Sequence, residues 1–422
     1  MRATRSDGWK PILKDKQAKQ AWDAIYDVAS IIADSEITST DCSLSSGYTG
    51  YALLFGYLAH ITGDEQYLRV CEKFQMQATE LLVSELIGSS LFVGFTGVGW
   101  GVTHLRNLLD PKSEDPASAI DEVLVNFLSR TNWDSHYDLV FGLVGYAVYG
   151  IERADIGQGR KILALVVKHL QHLAVQNTEG LTWHTPIQFL PEWQRNMAPS
   201  GYIDLGLAHG IPGVLAVLAK AMQMDVEKET ASHLLDKGLR WILALRNIEH
   251  GSETEITSQR LPKGDRVAWC YGDLGLSVAL LSAVRDADRR ALEPDVLKIA
   301  ESTANRPRAT SGVKDAGLCH GTAGNALLYM RLYHATGKLV FLNAALDYIN
   351  WTFDLRDPKK GFGGFPQYHL DENLQQPQLH YGLGLLEGST GVALALLASV
   401  SDVPPDWDRH LLISLNPRGT VS

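Results

Sequence analysis

The sequence predicts an all-α fold, a closed α/α toroid of seven inner and seven outer helices. Three observations carry this. A Gly-x-x-Gly step recurs seven times, an Ala/Leu-rich apolar run follows each step, and a more polar helical stretch lies between successive runs. Repeats of 20–50 residues or more signal stacked supersecondary units, each unable to bury its apolar face alone.

The steps are Gly47-Tyr-Thr-Gly50, Gly94-Phe-Thr-Gly97, Gly142-Leu-Val-Gly145, Gly210-Ile-Pro-Gly213, Gly272-Asp-Leu-Gly275, Gly321-Thr-Ala-Gly324 and Gly388-Ser-Thr-Gly391. The runs behind them include YALLFGYLAH from Tyr51, VLAVLAKAM from Val214, LSVALLSAV from Leu276, NALLYMRLY from Asn325 and VALALLASV from Val392. Ala and Leu favour helix, and a helix apolar on most faces is a buried one. These are the inner helices. Glycine at each N-terminus permits a tight turn and close backbone approach.

The outer helices read, in order, as Gln17–Ala33, Asp64–Leu86, Pro116–Leu128, Arg160–Ala174, Glu229–Leu245, Pro294–Ala304 and Lys338–Phe353. Each has an apolar stripe and a charged face, the pattern of a helix covering a core. The first glycines are spaced by 47 to 68 residues. A linear solenoid has shorter, more even repeats, so a closed ring over 1–422 as one domain is expected. Two longer connectors interrupt it, near 182–202 and 357–378. Long irregular loops in a compact domain are often functional, and these are candidate lids or peptide-contact walls.

Aligned on the first glycine, the chemistry falls at one register. Cys270 and Cys319 stand two residues before Gly272 and Gly321. His209, His320 and Glu387 stand one residue before their glycines. Equal register in a ring means equal depth on one rim, so two thiols and two imidazoles should converge at one end. Zn²⁺ prefers thiolate and imidazole, and catalytic zinc keeps an open fourth position. Cys270, Cys319 and His320 form such a Cys₂His set. The N-termini of the inner helices point to this rim, and their partial positive charge should lower both thiol pKa values. Cys42 and Cys71 lie off the register and read as small buried hydrophobes.

Ala208-His-Gly-Ile-Pro-Gly213, Trp269-Cys-Tyr-Gly272 and Cys319-His-Gly321, in that order, resemble the signature of lanthionine synthetase C-like proteins. The resemblance spans nearly the whole chain and is nearest to stand-alone lanthipeptide (lantibiotic) cyclases of the nisin cyclase type. It implies one zinc on Cys270, Cys319 and His320, with His209 as catalytic acid/base and Asp138 as its partner. Arg266 and Tyr271 match the family's remaining site positions. One departure is Leu274, where members often carry proline; that alters turn rigidity, not ligation.

The implied reaction is intramolecular Michael addition of a precursor-peptide cysteine to dehydroalanine or dehydrobutyrine. The implied partners are a dehydrated precursor peptide, a separate dehydratase (Met1 to Lys16 leave no room for a fused one) and an exporter. Eukaryotic relatives suggest an alternative, a zinc thiol-binding protein that binds or adds glutathione. A toroid glycosidase or terpene-type cyclase using Asp138 and Glu387 as paired acids would leave Cys270, Cys319 and His320 idle.

Composition excludes other classes. The chain has 422 residues, 45% hydrophobic and 20% charged, with a formal net charge of −10. Nucleic-acid binding needs clustered Lys and Arg, so no such partner is expected. No run approaches the roughly 18 apolar residues of a spanning helix, and no signal-peptide pattern opens the chain. Four scattered cysteines give no disulfide framework. A cytoplasmic protein follows, peripheral to a membrane-associated biosynthetic complex at most.

Overall fold

The computed structural model describes residues 8–35, 37, 40–249, 266–370 and 377–416. Parts of two expectations, residues 1–7 of the lead-in and 371–376 of the second connector, lie outside the described residues.

The described helices, in chain order, are α1 (Asp15–Asp34), α2 (Tyr48–Thr62), α3 (Glu65–Ser84), α4 (Phe95–Leu109), α5 (Ser118–Leu128), α6 (Leu143–Glu152) and α7 (Gly159–Leu173). There follow α8 (Glu192–Met197), α9 (Ile211–Gln223), α10 (Lys228–Glu249), α11 (Asp273–Asp286), α12 (Glu293–Ala304), α13 (Thr322–Thr336), α14 (Leu339–Leu355) and α15 (Ser389–Val400). All but the short α8 match the inner and outer helices expected from the repeats, with ends shifted by a few residues.

The inner helices α2, α4, α6, α9, α11, α13 and α15 each contact the next, and α15 contacts α2. That last contact closes the ring. Each inner helix has an outer helix against it, the closest pairings being α2 with α3, α6 with α7, α9 with α10, α11 with α12, α13 with α14, and α15 with α1. The sequence explains the layers. In α2 every residue from Tyr48 to Ala59 is buried. In α1 only a stripe is buried: Ala21, Ala24, Ile25, Val28, Ala29 and Ile32. A helix wet on one side needs one apolar stripe; a helix between two layers needs apolar surface all round.

The glycine steps are required by close approach. A Cβ on Gly47, Gly94, Gly142, Gly210 or Gly272 would collide with the carbonyl six residues earlier, and one on Gly97, Gly275, Gly324 or Gly391 would do the same. Gly272 adds a backbone reason, with φ of 136°, open at little cost only to glycine.

Backbone hydrogen bonds link the turns around this rim. Leu386 N donates to Ser45 O at 2.9 Å, Ser45 N to Phe92 O at 2.9 Å, and Leu139 N to Ala208 O at 3.2 Å. Ala208 N donates to Cys270 O at 3.3 Å, Cys270 N to Cys319 O at 3.2 Å, and Cys319 N to Leu386 O at 2.8 Å. Ser45, Phe92, Ala208, Cys270, Cys319 and Leu386 all stand two residues before a first glycine. The common register is thus a physical level in the ring.

Both connectors are more structured than the sequence suggests. Strands β1 (Ala174–Gln176) and β2 (Leu181–Trp183) pair antiparallel, and α8 follows. Strands β3 (Gln367–Leu370) and β4 (Pro377–His380) form a second antiparallel pair. Period-two alternation over three or four residues is too short to register as strand in a sequence.

The interior of the ring is filled by the C-terminal segment, which the repeat pattern does not reveal. Trp407, Asp408, His410, Leu411, Ile413 and Leu415 are all buried. Arg331 on α13 grips Asp408 through two bonds of 2.7 Å. The His410 ring meets Trp100 edge-on at 5.0 Å. Trp269 Nε1 donates to Leu411 O at 2.8 Å, so this plug supports the turn that carries Cys270.

Candidate active site

Each side chain singled out above sits on a turn leading into an inner helix. Cys270 and Tyr271 precede α11, Cys319 and His320 precede α13, His209 precedes α9 and Asp138 precedes α6. The ring therefore brings them to one mouth although they are far apart in sequence.

The candidate ligand atoms of Cys270, Cys319 and His320 all lie within 4.8 Å of one another. Both cysteines are buried. His320 Nε2 lies 3.1 Å from Asp315 Oδ2, which leaves Nδ1 as the ring nitrogen open to the sulfurs. Two thiols and one imidazole converging in a buried turn fit a zinc ion by donor chemistry.

The electrostatics agree in part with the sequence reading. Cys270 is held well below the ordinary thiol range, chiefly by the hydrogen bond from the Cys319 thiol, against burial and with help from His320 and the Arg266 charge. Cys319 moves the other way, pushed up by Cys270 and by burial. The expectation that both thiols are lowered holds for only one. Two sulfurs this close cannot both carry charge without a cation between them, and two helix N-termini do not supply one. Burial works against charge on His320, yet Asp315 and Cys270 outweigh it and push its pKa to about 10. Cys42 and Cys71 are buried thiols that burial pushes up to about 11 and about 12, as inert structural cysteines should be.

Beside this cluster stands a hydrogen-bonded histidine–carboxylate pair. His209 Nδ1 is 2.7 Å from Asp138 Oδ2, and Asp138 Oδ1 accepts the Phe141 N–H at 2.6 Å. The carboxylate therefore serves both as the partner of the histidine and as a cap on its own turn. The His209 ring stacks between Phe141 and Tyr271, with both centroids 5.8 Å away. Burial opposes its charge, but the Asp138 hydrogen bond and the Asp138 and Asp204 carboxylates raise its pKa above the ordinary histidine value.

Arg266 lies six residues before Gly272. Its Nε is buried with no hydrogen-bond partner among the described residues, and its charge is felt at Cys270. The Tyr271 hydroxyl donates to Asp204 Oδ2 at 3.2 Å, so its ring, not its hydroxyl, meets His209.

Asp204, Asp315 and Tyr202 were not legible as site residues. Asp204 is buried and accepts from Tyr202 Oη at 2.7 Å and from Gly206 N at 2.7 Å. A usable signal exists: Asp41, Asp204 and Asp315 all stand six residues before a first glycine.

Comparison with known proteins follows the same lines. The family model described as Lanthionine synthetase C-like protein matches residues 38–412. Nisin biosynthesis protein NisC of Lactococcus lactis subsp. lactis is 24% identical over 305 residues, covering 67% of this chain and 72% of that protein. Glutathione S-transferase LANCL1 of Danio rerio is 23% identical over 321 residues, covering 74% of each. The solved structure of nisin cyclase superposes with a TM-score of 0.69 at 20% identity, covering 95% of this chain and 98% of that one. That likeness shows the fold, an α/α toroid. With its ring, its glycine register and its matched span, the chain belongs to the lanthionine synthetase C-like protein family.

Proposed function

We propose that this chain is a zinc-dependent lanthipeptide cyclase, a single toroid domain that closes (methyl)lanthionine rings in a dehydrated precursor peptide. The observation that carries the reading is the placement of the Cys270–Cys319–His320 donor set on the same rim as the His209–Asp138 pair. One group suits a thiol nucleophile, the other a proton transfer. Cys270, Cys319 and His320 would hold the zinc. Bound there, zinc keeps a substrate thiol deprotonated near neutral pH by its charge.

The chain's own residues account for the rest. Addition of the peptide thiolate to the β-carbon of a dehydroamino acid forms the C–S bond and leaves an enolate. His209 gives its Nε2 proton to the α-carbon, since Nδ1 is committed to Asp138. A histidine raised above its ordinary pKa holds that proton to higher pH than a free imidazole does. Asp138 fixes the ring and supports the imidazolium form. Arg266, whose charge is felt at Cys270, stabilises the developing enolate oxygen, charge arranged in advance of the step. Tyr271 holds the face of His209 through its ring, its hydroxyl being anchored to Asp204.

The substrate requires a separate dehydratase to act first, in the cytoplasm, and an exporter to follow. Among the described residues no helix is long and apolar enough to cross a membrane.

The Danio rerio relative favours a second reading, in which the same centre holds glutathione. One experiment separates them. Purified zinc-loaded protein is incubated with a dehydrated precursor, with and without glutathione, and thiols are titrated by alkylation. Cyclisation consumes peptide thiols without changing peptide mass. Thiols that persist across every candidate peptide contradict the cyclase, and a glutathione adduct in their place supports the alternative.

A further inference from the structure

Asp315 repeats a position that the fold uses elsewhere, but it does something different there. Asp41, Asp204 and Asp315 each stand six residues before a first glycine. Asp41 Oδ1 accepts the N–H of Ser43 at 2.8 Å, and Asp204 Oδ1 accepts the N–H of Gly206 at 2.7 Å. Each carboxylate closes its turn on the residue two ahead, the ordinary local use of aspartate. The Asp315 carboxylate makes no such bond. Its Oδ1 is buried without a partner among the described residues. Its Oδ2 lies 3.1 Å from His320 Nε2 and accepts the Tyr368 N–H at 3.0 Å.

The main chain that carries that carboxylate is held on both sides. Thr322 N in the first turn of α13 donates to Asp315 O at 2.9 Å, and Ala316 N donates to Pro366 O at 3.0 Å, just before β3. Asp315 is 1% exposed. Leaving one oxygen of a buried carboxylate unbonded is costly, and the local turn bond would have avoided it.

We infer that Asp315 is a positioning residue for the ligand His320, holding the proton on Nε2 so that the Nδ1 lone pair faces the two sulfurs. This rests on the metal reading above. A neutral imidazole has one N–H and one lone pair, and the partner of one nitrogen decides which face can ligate. A carboxylate behind a ligating histidine fixes tautomer and ring angle and makes the nitrogen a better donor. Through Tyr368 N, the same oxygen ties β3 to the metal ligand, so the connector near 357–378 is joined to the centre by one shared acceptor.

The test uses the full chain and zinc alone, without peptide. Zinc dissociation constants are measured by competition with a chromogenic chelator for the wild type, Asp315→Ala, Asp315→Asn and Asp41→Asn. Asp315→Ala should weaken zinc about 10–100-fold, the usual cost of losing such a partner. Asp315→Asn keeps an acceptor for Tyr368 N and should fall between it and wild type, which keeps the test open if the alanine variant does not fold. Asp41→Asn alters an acid of the same register that touches no ligand, and zinc affinity should stay within about threefold. In the zinc-loaded protein, the ¹H signal of His320 Nε2–H should lie downfield in wild type and move upfield in Asp315→Asn, whose acceptor is uncharged. Unchanged affinity and an unchanged Nε2–H signal in the Asp315 variants overturn the inference, as does an equal loss in Asp41→Asn. Failure of the wild type to bind zinc overturns the metal reading and this inference together. Failure to cyclise a peptide leaves it standing.

Discussion

His209 Nδ1 and Asp138 Oδ2 lie 2.7 Å apart although 71 positions separate them in the chain. They come from the turns of neighbouring repeats, α6 and α9, whose backbones are joined by the Leu139–Ala208 hydrogen bond. The histidine is therefore aimed by the closure of the ring, and the direction of its Nε2 is a property of the fold.

Asp138→Asn should lower the His209 pKa. Asp138 supplies the leading contributions that raise it, while burial, which remains, pushes it down. The value should fall below that of the wild type, with Asp204 and Cys270 still holding it up, read by NMR titration of the His209 ring. If a protonated His209 delivers the proton, the alkaline limb of the rate profile moves to lower pH in this variant. An unmoved limb would assign the proton to another group. Stability follows the same linkage: the raised pKa adds stability that is complete below ~6.5 and is lost as pH rises through the folded value.

The glycine steps predict opposite outcomes for two Gly→Ala changes. A Cβ on Gly324 collides with the Leu318 carbonyl, whereas one on Gly88 meets nothing within 4 Å. Gly324→Ala should destabilise by several kcal/mol or fail to fold, because backbone must move. Gly88→Ala should be neutral or stabilise by about 0.4–1 kcal/mol through the unfolded chain. Denaturant midpoints measured side by side check both, and equal midpoints would contradict the close-approach account.

The plug is tied to α13 by a buried ion pair. Arg331 and Asp408 are 3% and 0% exposed at the side chain. Asp408→Ala leaves the guanidinium with only the more exposed Asp406 carboxylate, 3.8 Å away, and should cost about 3 kcal/mol. Lys19→Ala, which breaks a 2.8 Å pair that is 77% and 58% exposed, should cost about 0.5 kcal/mol or less. Similar losses for the two variants in thermal unfolding would remove the plug from the account.

His410 makes the plug acid-sensitive. Burial pushes its pKa down to about 3, against the pull of the Trp407 carbonyl, and the buried Nε2 has no partner among the described residues. The unfolded chain takes up a proton near pH 6.5 and the folded one does not. Stability should thus be complete above ~6.5 and fall as pH drops toward about 3, by a few kcal/mol at ~1.4 kcal/mol per unit. His410→Asn should flatten that slope in denaturant titrations at pH 7 and 4.5.

The sequence made the ring legible because one device is repeated. Each glycine pair marks a helix start, and each apolar run shows that its helix is buried on all sides. Cys270, Cys319, His320 and His209 were legible through the shared register, and the ladder linking Ala208, Cys270 and Cys319 is that register in hydrogen bonds. Asp204 and Asp315 were hidden because six residues before a glycine the repeats hold Gly88, His136, Arg266 and Gly382 as well. The plug was hidden because its one helical element, Asp406–Leu411, is a short 3₁₀ helix without an α-helical period. The opposite shifts of Cys270 and Cys319 belong to the contact between two sulfurs, which no single-residue rule contains.

X-ray absorption at the zinc edge tests the central claim most directly. With one zinc per chain, the account predicts two sulfurs at about 2.3 Å, one nitrogen at about 2.0–2.1 Å and one light, exchangeable neighbour. A third sulfur should replace that neighbour when a cysteine-bearing peptide is added. Cys319→Ala should lose the metal. Four protein ligands, an unchanged sulfur count with peptide, or full zinc content in Cys319→Ala would contradict it.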